Sequence, residues 1–127
     1  MTIRKLERYD IAVVESEDVL IHSVDSALDL AMSVVYDTGA RKLIVDKAAF
    51  CEAFFDLSTR LAGEALQKYV NYGVKLAVVG NFAQYASKSL RDFIRESNRG
   101  RDFFFVSTFE EAVDRLIAVG DSVDGRR

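Results

Sequence analysis

Proline is absent from the sequence, and cysteine and histidine occur once each, as Cys51 and His22. A single cysteine excludes an internal disulfide and is typical of a reducing compartment, so we expect a cytoplasmic protein. No apolar run approaches the roughly 20 residues that a membrane-spanning helix needs, so we expect no membrane partner. The charged first residues are not followed by an apolar stretch, so we expect no signal peptide.

An excess of basic charge is also lacking. Lys and Arg number 17 against 20 Asp and Glu, which gives a formal net charge of −3. Because nucleic-acid binding relies on a strongly basic field, this balance predicts no nucleic-acid partner. Half of the residues are hydrophobic and 29% are charged, as in ordinary globular proteins. We predict a single domain over residues 1–120 and a frayed polar tail over residues 121–127.

Hydrophobic periodicity predicts strands first, and then helices and strands in alternation. The strands are expected over residues 3–8 (an edge strand), 11–14, 19–21, 43–45, 76–79 and 103–106. The helices are expected over residues 24–37, 57–72, 88–98 and about 109–117. Helices that cross over between strands make those strands parallel. The sequence therefore predicts an α/β fold with a mostly parallel sheet of four to six strands and about four helices.

Capping residues mark the ends of these helices. The expected N-caps are Ser23, Asp56 or Ser58, Ser87 and Thr108. Thr108 is followed by Glu111 at the spacing of a capping box, in which each side chain satisfies a free backbone N–H group. The last helix is expected to turn Phe109 and Ile117 toward the core.

Residues 41–80 form the central β-loop-α-β unit of this prediction. Its loop leaves the carboxyl end of a strand, where open α/β sheets usually place their sites. The polar residues of that loop are Asp46, Lys47, Glu52 and Asp56, and Ser58 and Thr59 follow at the expected start of the helix. No catalytic constellation follows from these residues, so we expect a protein without a cofactor that is not an enzyme.

The same stretch resembles the STAS domain, the sulfate-transporter and anti-sigma-factor-antagonist fold, which has this order of elements. The resemblance rests on LIVD at residues 43–46, FDLST at residues 55–59, YGVK at residues 72–75 and LAVVG at residues 76–80. In this register Ser58 occupies the position at which the antagonists are phosphorylated by a partner kinase. Leu57 and Thr59 depart from the pattern, which has serine and glycine there.

The whole chain also resembles a family of small prokaryotic proteins known only as a domain of unknown function, number 4180. The segments that carry this resemblance are FFDLSTRLAGE, KYVN at residues 68–71, VKLAVVG and SKSLRDFIRESNRG. The family has no assigned activity, so this resemblance implies a fold and a membership but no reaction.

Two surfaces are candidates for recognition. The first is Asp56, Ser58 and Thr59, because the amino end of a helix accommodates the negative charge of a phosphoryl group. The ordinary alternative is a helix cap. The second is a basic stripe on the third helix, formed by Lys88, Arg91, Arg95 and Arg99 and continued by Arg101. It suits an acidic partner, or it is a solvated face that acidic neighbours neutralise.

Three further groups have weaker claims to a function. The carboxylates of Asp46, Glu52 and Asp56 would hold a cation only if they converged, and separate caps are the simpler interpretation. Cys51 would need a neighbouring base, for which His22 is the one imidazole available. A third group is the aromatic run Phe50, Phe54 and Phe55. It is expected to cover the core, with a pocket lining or a homodimer contact as alternatives.

These observations favour a non-catalytic regulatory or protein-interaction module of STAS-like type, switched by phosphorylation of Ser58. Its partner would be a kinase or another regulator, with a homodimer also possible. The alternative is a binder of a small anionic or apolar ligand, or a weak enzyme, that uses the loops at the carboxyl ends of the strands. A closed aromatic cavity converging on Asp46, Cys51 and Glu52 would favour the ligand alternative, and a filled core would favour the module.

Overall fold

The computed structural model describes residues 1–120, and the predicted tail over residues 121–127 lies outside this range. The five strands are β1 (Thr2–Lys5), β2 (Ile11–Glu15), β3 (Lys42–Asp46), β4 (Lys75–Val79) and β5 (Phe103–Val106). The four α-helices are α1 (Val24–Thr38), α2 (Leu61–Asn71), α3 (Lys88–Arg99) and α4 (Phe109–Ala118). Three 3₁₀ turns, Lys47–Ala49, Glu52–Phe55 and Leu57–Thr59, lie between β3 and α2. No helix in the described range is long and apolar enough to cross a membrane.

The strands stand in the sheet in the order in which they occur in the chain. β1 pairs antiparallel with β2, and the other three pairings are parallel. The predicted mostly parallel sheet and the predicted order of elements are therefore confirmed. This order is also the one that the resemblance to STAS domains implied.

Alternating side chains of the strands divide the core between the two faces of the sheet. One face packs against α1, α2 and α3 through residues such as Ala12, Leu43 and Leu76. The opposite face packs against α4, where Ala112 and Leu116 are fully buried. Parallel strands in sequential order with right-handed crossovers place all the crossover helices on one face, which explains this division. The sheet therefore has no switch point between crossover helices, where α/β folds commonly form a binding crevice.

Helix capping agrees with the sequence in most places. The hydroxyl groups of Ser23, Ser87 and Thr108 each accept a hydrogen bond from the backbone N–H three residues on. Gly39 ends α1 with a φ of 78°, a left-handed conformation that glycine adopts without strain. In α4, however, Phe109 and Ile117 are 37% and 40% exposed, so their predicted inward orientation is wrong. The helix covers the sheet with a narrower face, centred on Ala112 and Leu116.

The strand predicted over residues 19–21 is not formed. The N–H groups of Leu20 and Ile21 both donate to the carbonyl of Ala49, at 2.8 and 2.9 Å, so no ladder continues from them. What remains is an isolated parallel bridge between Ile21 and Phe50. Two hydrogen bonds to one carbonyl hold this segment against the loop after β3 without extending the sheet.

The second helix begins later than predicted. Arg60 has a φ of 67°, in the left-handed region, and this conformation separates the Leu57–Thr59 turn from α2. A regular helix cannot pass through a residue in that conformation. Ser58 therefore lies within a short capped turn and not at the amino end of α2.

Candidate functional site

The loops after β3 and β4 are joined by aromatic rings. Phe50, Phe54 and Phe55 are at most 5% exposed and contact one another, with ring centroids 4.7 to 6.0 Å apart. The ring of Phe55 also stacks on Tyr85, at 5.5 Å and 25° between the planes. The predicted role of the three phenylalanines as a cover of the core is confirmed. Phe50 and Phe54 lie within the core, and Phe55 also lines an open groove.

Lys47 completes this junction between the two loops. Its ammonium lies 5.1 Å from the ring centroids of both Phe55 and Tyr85 and 3.7 Å from a carboxylate oxygen of Glu52. The hydroxyl of Tyr85 donates to the other oxygen of Glu52 at 3.2 Å. Stacking, cation–π attraction and a charge-assisted hydrogen bond thus tie residues 47–55 to residues 82–85. The sequence pattern did not single out Tyr85 or this use of Lys47, because both depend on contacts between separate loops.

The turn that carries Ser58 is closed by Asp56. A carboxylate oxygen of Asp56 accepts the Ser58 hydroxyl at 2.7 Å and the Ser58 backbone N–H at 3.0 Å. These two hydrogen bonds lower the pKa of Asp56, and the bond from the hydroxyl has the larger effect. Both residues are exposed, so the Ser58 hydroxyl is accessible from solvent while its hydrogen is engaged. Asp56 is a cap, as predicted, but of the 3₁₀ turn.

Thr59 has a different role from its neighbour. Its hydroxyl lies 2.7 Å from the carbonyl of Ala53 and 2.8 Å from that of Asp56, and its oxygen accepts the N–H of Leu61 at 3.2 Å. A hydroxyl carries one hydrogen, which is therefore shared between the two carbonyls. Thr59 fastens the turn to the segment before it and caps the start of α2.

The basic stripe on α3 is largely neutralised by acids on the same helix. Asp92 pairs with Lys88 at 2.7 Å and with Arg95 at 3.0 Å, and Glu96 pairs with Arg99 at 3.6 Å. The hydrogen bond from Lys88, helped by that from Arg95, lowers the pKa of Asp92. Arg91 differs, because its guanidinium donates to the carbonyl of Ala86 at 2.6 Å. Among residues 1–120 it has no carboxylate within ion-pair distance.

An open groove of about 500 Å³ separates the segment that carries Ser58 from the start of α3, and Asp56 and Thr59 of the first predicted surface line it. One wall is the 52–59 segment, including Phe55, Asp56 and Thr59, and the other is Tyr85, Ala86 and Ser87 at the start of α3. Ser58 lies in the chain between the lining residues Leu57 and Thr59, and the guanidinium of Arg91 donates to the carbonyl of Ala86 in the second wall. The groove is open to solvent, so it suits contact with another surface.

The remaining candidates do not form a joint site. Asp46 accepts the N–H of Ala48 at 2.9 Å, Glu52 binds the Lys47–Tyr85 junction and Asp56 caps its own turn. Within residues 1–120, no group of three His, Cys, Asp or Glu side chains has the arrangement of a metal site. The acidic residues of the loop therefore have separate roles.

The backbone segments that carry Cys51 and His22 lie next to each other. The bridge between Ile21 and Phe50 places them in neighbouring register, and the N–H of Cys51 donates to the carbonyl of Ile21 at 2.9 Å. Over residues 1–120, no hydrogen bond joins the thiol to the imidazole. The geometry therefore gives no support to a nucleophilic pair.

The fold and the capped turn define a small α/β protein with its polar features on exposed loops. Over residues 6–116 the chain matches the family described as a domain of unknown function (DUF4180), and it belongs to that family. Among solved structures it is similar to a protein from Thermotoga maritima described as a candidate anti-sigma factor antagonist. That similarity has 14% sequence identity and a TM-score of 0.49, and it covers 91% of this chain and 93% of the other. No curated protein matches the chain.

Proposed function

We propose that this protein is a non-catalytic regulatory module of the cytoplasm that binds another protein through the groove between the 56–59 turn and the start of α3. Ser58 is the proposed phospho-acceptor, and a kinase or another regulator is the proposed partner. Asp56, Thr59, Lys88, Arg91 and Arg95 contribute the surface around it. The observation that carries the proposal is the exposed residue Ser58, whose hydroxyl donates to Asp56, and Asp56 lines the open groove.

The packing of the loops supports a binding surface over an enclosed ligand site. Phe50, Phe54 and Phe55 pack against one another in the core, and the groove that Phe55 lines is open to solvent. Asp46 and Glu52 border different grooves and have different partners. A small-ligand enzyme would need convergent polar groups in a water-excluding pocket, and these residues diverge.

Phosphorylation would act directly on the hydrogen bonds of this turn. It removes the hydrogen that Ser58 donates to Asp56 and adds roughly −1.5 to −2 charges beside that carboxylate. Repulsion between the phosphate and the Asp56 carboxylate would open the cap of the 57–59 turn, because the same carboxylate also accepts the backbone N–H of Ser58. A switch at Ser58 therefore changes both the charge and the shape of one wall of the groove.

The first experiment compares wild type, Ser58→Ala and Ser58→Asp as baits in lysate of the native host, with captured proteins identified by mass spectrometry. Ser33→Asp is the matched control, because Ser33 is exposed on α1 and gains the same charge away from the groove. We expect a partner whose capture changes with Ser58→Asp and not with Ser33→Asp. A partner profile identical for all four baits would refute the switch.

A second experiment tests the modification itself. Wild type and Ser58→Ala are incubated with the same lysate and ATP, and phosphopeptides covering residues 53–60 are mapped. We expect phosphate on Ser58 of the wild type and none on this segment of the variant. Phosphate found on Thr59 instead would contradict the assignment, because the Thr59 hydroxyl is engaged with two carbonyls and a backbone N–H.

A further inference from the structure

A second groove opens at the carboxyl ends of β4 and β5, between α3 and α4, and encloses about 580 Å³. We refer to it as the β4–β5 groove. It shares no lining residue with the groove beside Ser58. Its apolar lining includes Val79, Phe82, Ile94, Phe105 and Val106. These residues come from two strands, a loop and a helix, so the groove is a product of the tertiary fold.

The apolar floor of this groove is held in place by packing. The ring of Phe82 contacts Phe105 edge-on, with centroids 5.6 Å apart. The backbone of Phe105 is fastened to α3, since its N–H donates to the Asn98 amide at 2.7 Å and its carbonyl accepts from Asn98 at 3.1 Å. A floor that is already ordered can bind an apolar side chain without a large ordering penalty.

Among residues 1–120, the charged residues that line the β4–β5 groove are both acidic. Asp46 stands at the end of β3, and Glu111 stands in the first turn of α4. Neither carboxylate has a Lys or Arg partner within ion-pair distance among residues 1–120. Lys47, next to Asp46 in the chain, pairs with Glu52 and lies over the ring of Phe55. The amino end of α4 carries the positive end of the helix dipole, which disfavours a cation here. The acidic residues in the first turn of α4 offset this positive charge.

Acidic charge continues beyond the groove on the far side of Asp46. A neighbouring groove shares Asp46 and is lined by Glu15, Glu17 and Asp18. Arg4 neutralises Glu15 at 3.6 Å, and neither Glu17 nor Asp18 has an ion-pair partner in the described part of the chain. The two grooves share Asp46, and we refer to them together as the trough. Its apolar floor is in the β4–β5 groove, and its acidic lining residues include Glu17, Asp18, Asp46 and Glu111.

We infer that this trough is a docking site for a basic segment of a partner protein, in which an apolar side chain enters the β4–β5 groove and flanking Lys or Arg residues meet Asp46 and Glu111. Charge complementarity selects this occupant, because an acidic segment would be repelled by the carboxylates of Asp46 and Glu111. The inference does not depend on Ser58 or on the proposed phospho-switch.

The test uses a fluorescent seven-residue peptide of alternating lysine and leucine, titrated with the full chain and followed by anisotropy. Two matched peptides replace every lysine by glutamate or every leucine by serine. We expect saturable binding of the first peptide that weakens with added salt, and at least tenfold weaker binding of the other two. Equal affinity for the leucine and serine peptides would overturn the inference, because the apolar floor would then be unused.

Charge variants locate the site on the protein. In Asp46→Asn the amide oxygen can still cap Ala48, and Glu111→Gln keeps an acceptor near Ser107, so the fold is retained. We expect the double variant to bind the lysine–leucine peptide about fivefold to tenfold more weakly. The control Glu64→Gln, which removes an exposed acid from the first turn of α2, should bind as wild type does.

Amide chemical shifts give a readout that does not depend on charge. On binding, the largest changes should fall in residues 79–83 and 105–111 of the wild type. Three further results would overturn the inference: the largest changes in residues 52–59 and 85–87, unchanged affinity of the double charge variant, or no binding at about 1 mM peptide.

Discussion

Gly80, the residue after β4, packs against the side chain of Lys47, the residue after β3, and a substitution there tests this packing. A Cβ atom at Gly80 would lie 2.5 Å from the Cβ of Lys47 and 2.9 Å from its Cδ. Real Cβ atoms essentially never come closer than 3.0 Å to another heavy atom. The Cβ of Lys47 is attached to the backbone of the 47–49 turn, so it cannot rotate away. Gly80→Ala must therefore move one loop relative to the other.

The size of the effect follows from this overlap. Ordinary contact begins at 3.4 Å, so the two Cβ atoms must separate by about 3.4 − 2.5 = 0.9 Å. Such a movement strains the hydrogen bond from Gly80 to Val106 and the ring contacts of Lys47 with Phe55 and Tyr85. Overpacking of this kind usually costs about 1–3 kcal/mol of unfolding free energy. At about 4 °C per kcal/mol for a domain of this size, the melting temperature should fall by about 4–12 °C.

The assay is urea denaturation followed by circular dichroism, supported by thermal melts. Lys47→Gly serves as the partner variant, because it removes the Cβ that the new methyl group meets. We expect Gly80→Ala to be destabilising alone and much less so when Lys47→Gly is already present. In the double-mutant cycle, the double variant should then be more stable than the sum of the two single effects predicts. Lys47→Ala keeps the clashing Cβ and should rescue far less. Unchanged stability of Gly80→Ala would refute the reasoning.

Three further predictions concern side chains whose hydrogen bonds the structure shows. Tyr69 is buried and donates to a carbonyl of α1 at 2.7 Å, so its replacement by Phe should lower the unfolding free energy by about 0.5–1.5 kcal/mol, measured in urea. Asn98→Ala should leave the backbone N–H and carbonyl of Phe105 on the edge strand β5 without their partner. Because exposed edge strands pair with other chains, light scattering should detect more soluble aggregate for the variant than for wild type, and equal amounts would contradict this. Ser58→Ala should raise the pKa of Asp56 toward its ordinary value in an NMR titration, and an unchanged pKa would contradict the hydrogen bond. Because the pKa of Asp56 is lowered on folding, its carboxylate stabilises the fold above its unfolded pKa, and this contribution is lost as the pH falls through the lowered pKa.

The sequence predicted those parts of the molecule that depend on local chemistry. Ser23, Ser87 and Thr108 are N-caps in the structure as predicted, because a hydroxyl placed before an apolar periodic segment needs only the next turn of chain. The central strands were also predictable, since apolar runs such as residues 43–45 and 76–79 have to be buried on both faces. Membership of the DUF4180 family is confirmed over residues 6–116.

The candidate site was predictable only in part. The residues around Asp56 and Ser58 were identified from their types, but the helix was expected to begin at about residue 57. The left-handed Arg60 separates the turn from α2, and nothing in the type of that residue announces such a conformation. The acidic residues on α3 were expected to lie beside the basic stripe. Whether they pair with it depends on the side-chain conformations, and in the structure Asp92 forms ion pairs with two residues of the stripe, Lys88 and Arg95.

By itself, the sequence determined the alternation of elements, the mostly parallel sheet and the caps, because burial and capping are properties of short segments. Only the tertiary structure decided that Lys47 lies between Phe55 and Tyr85, that Gly80 must lack a side chain, and that an acidic trough opens beside β4 and β5. These features join residues from separate loops, and their distances depend on how the strands are ordered and how the helices pack. No local pattern in the chain encodes such distances.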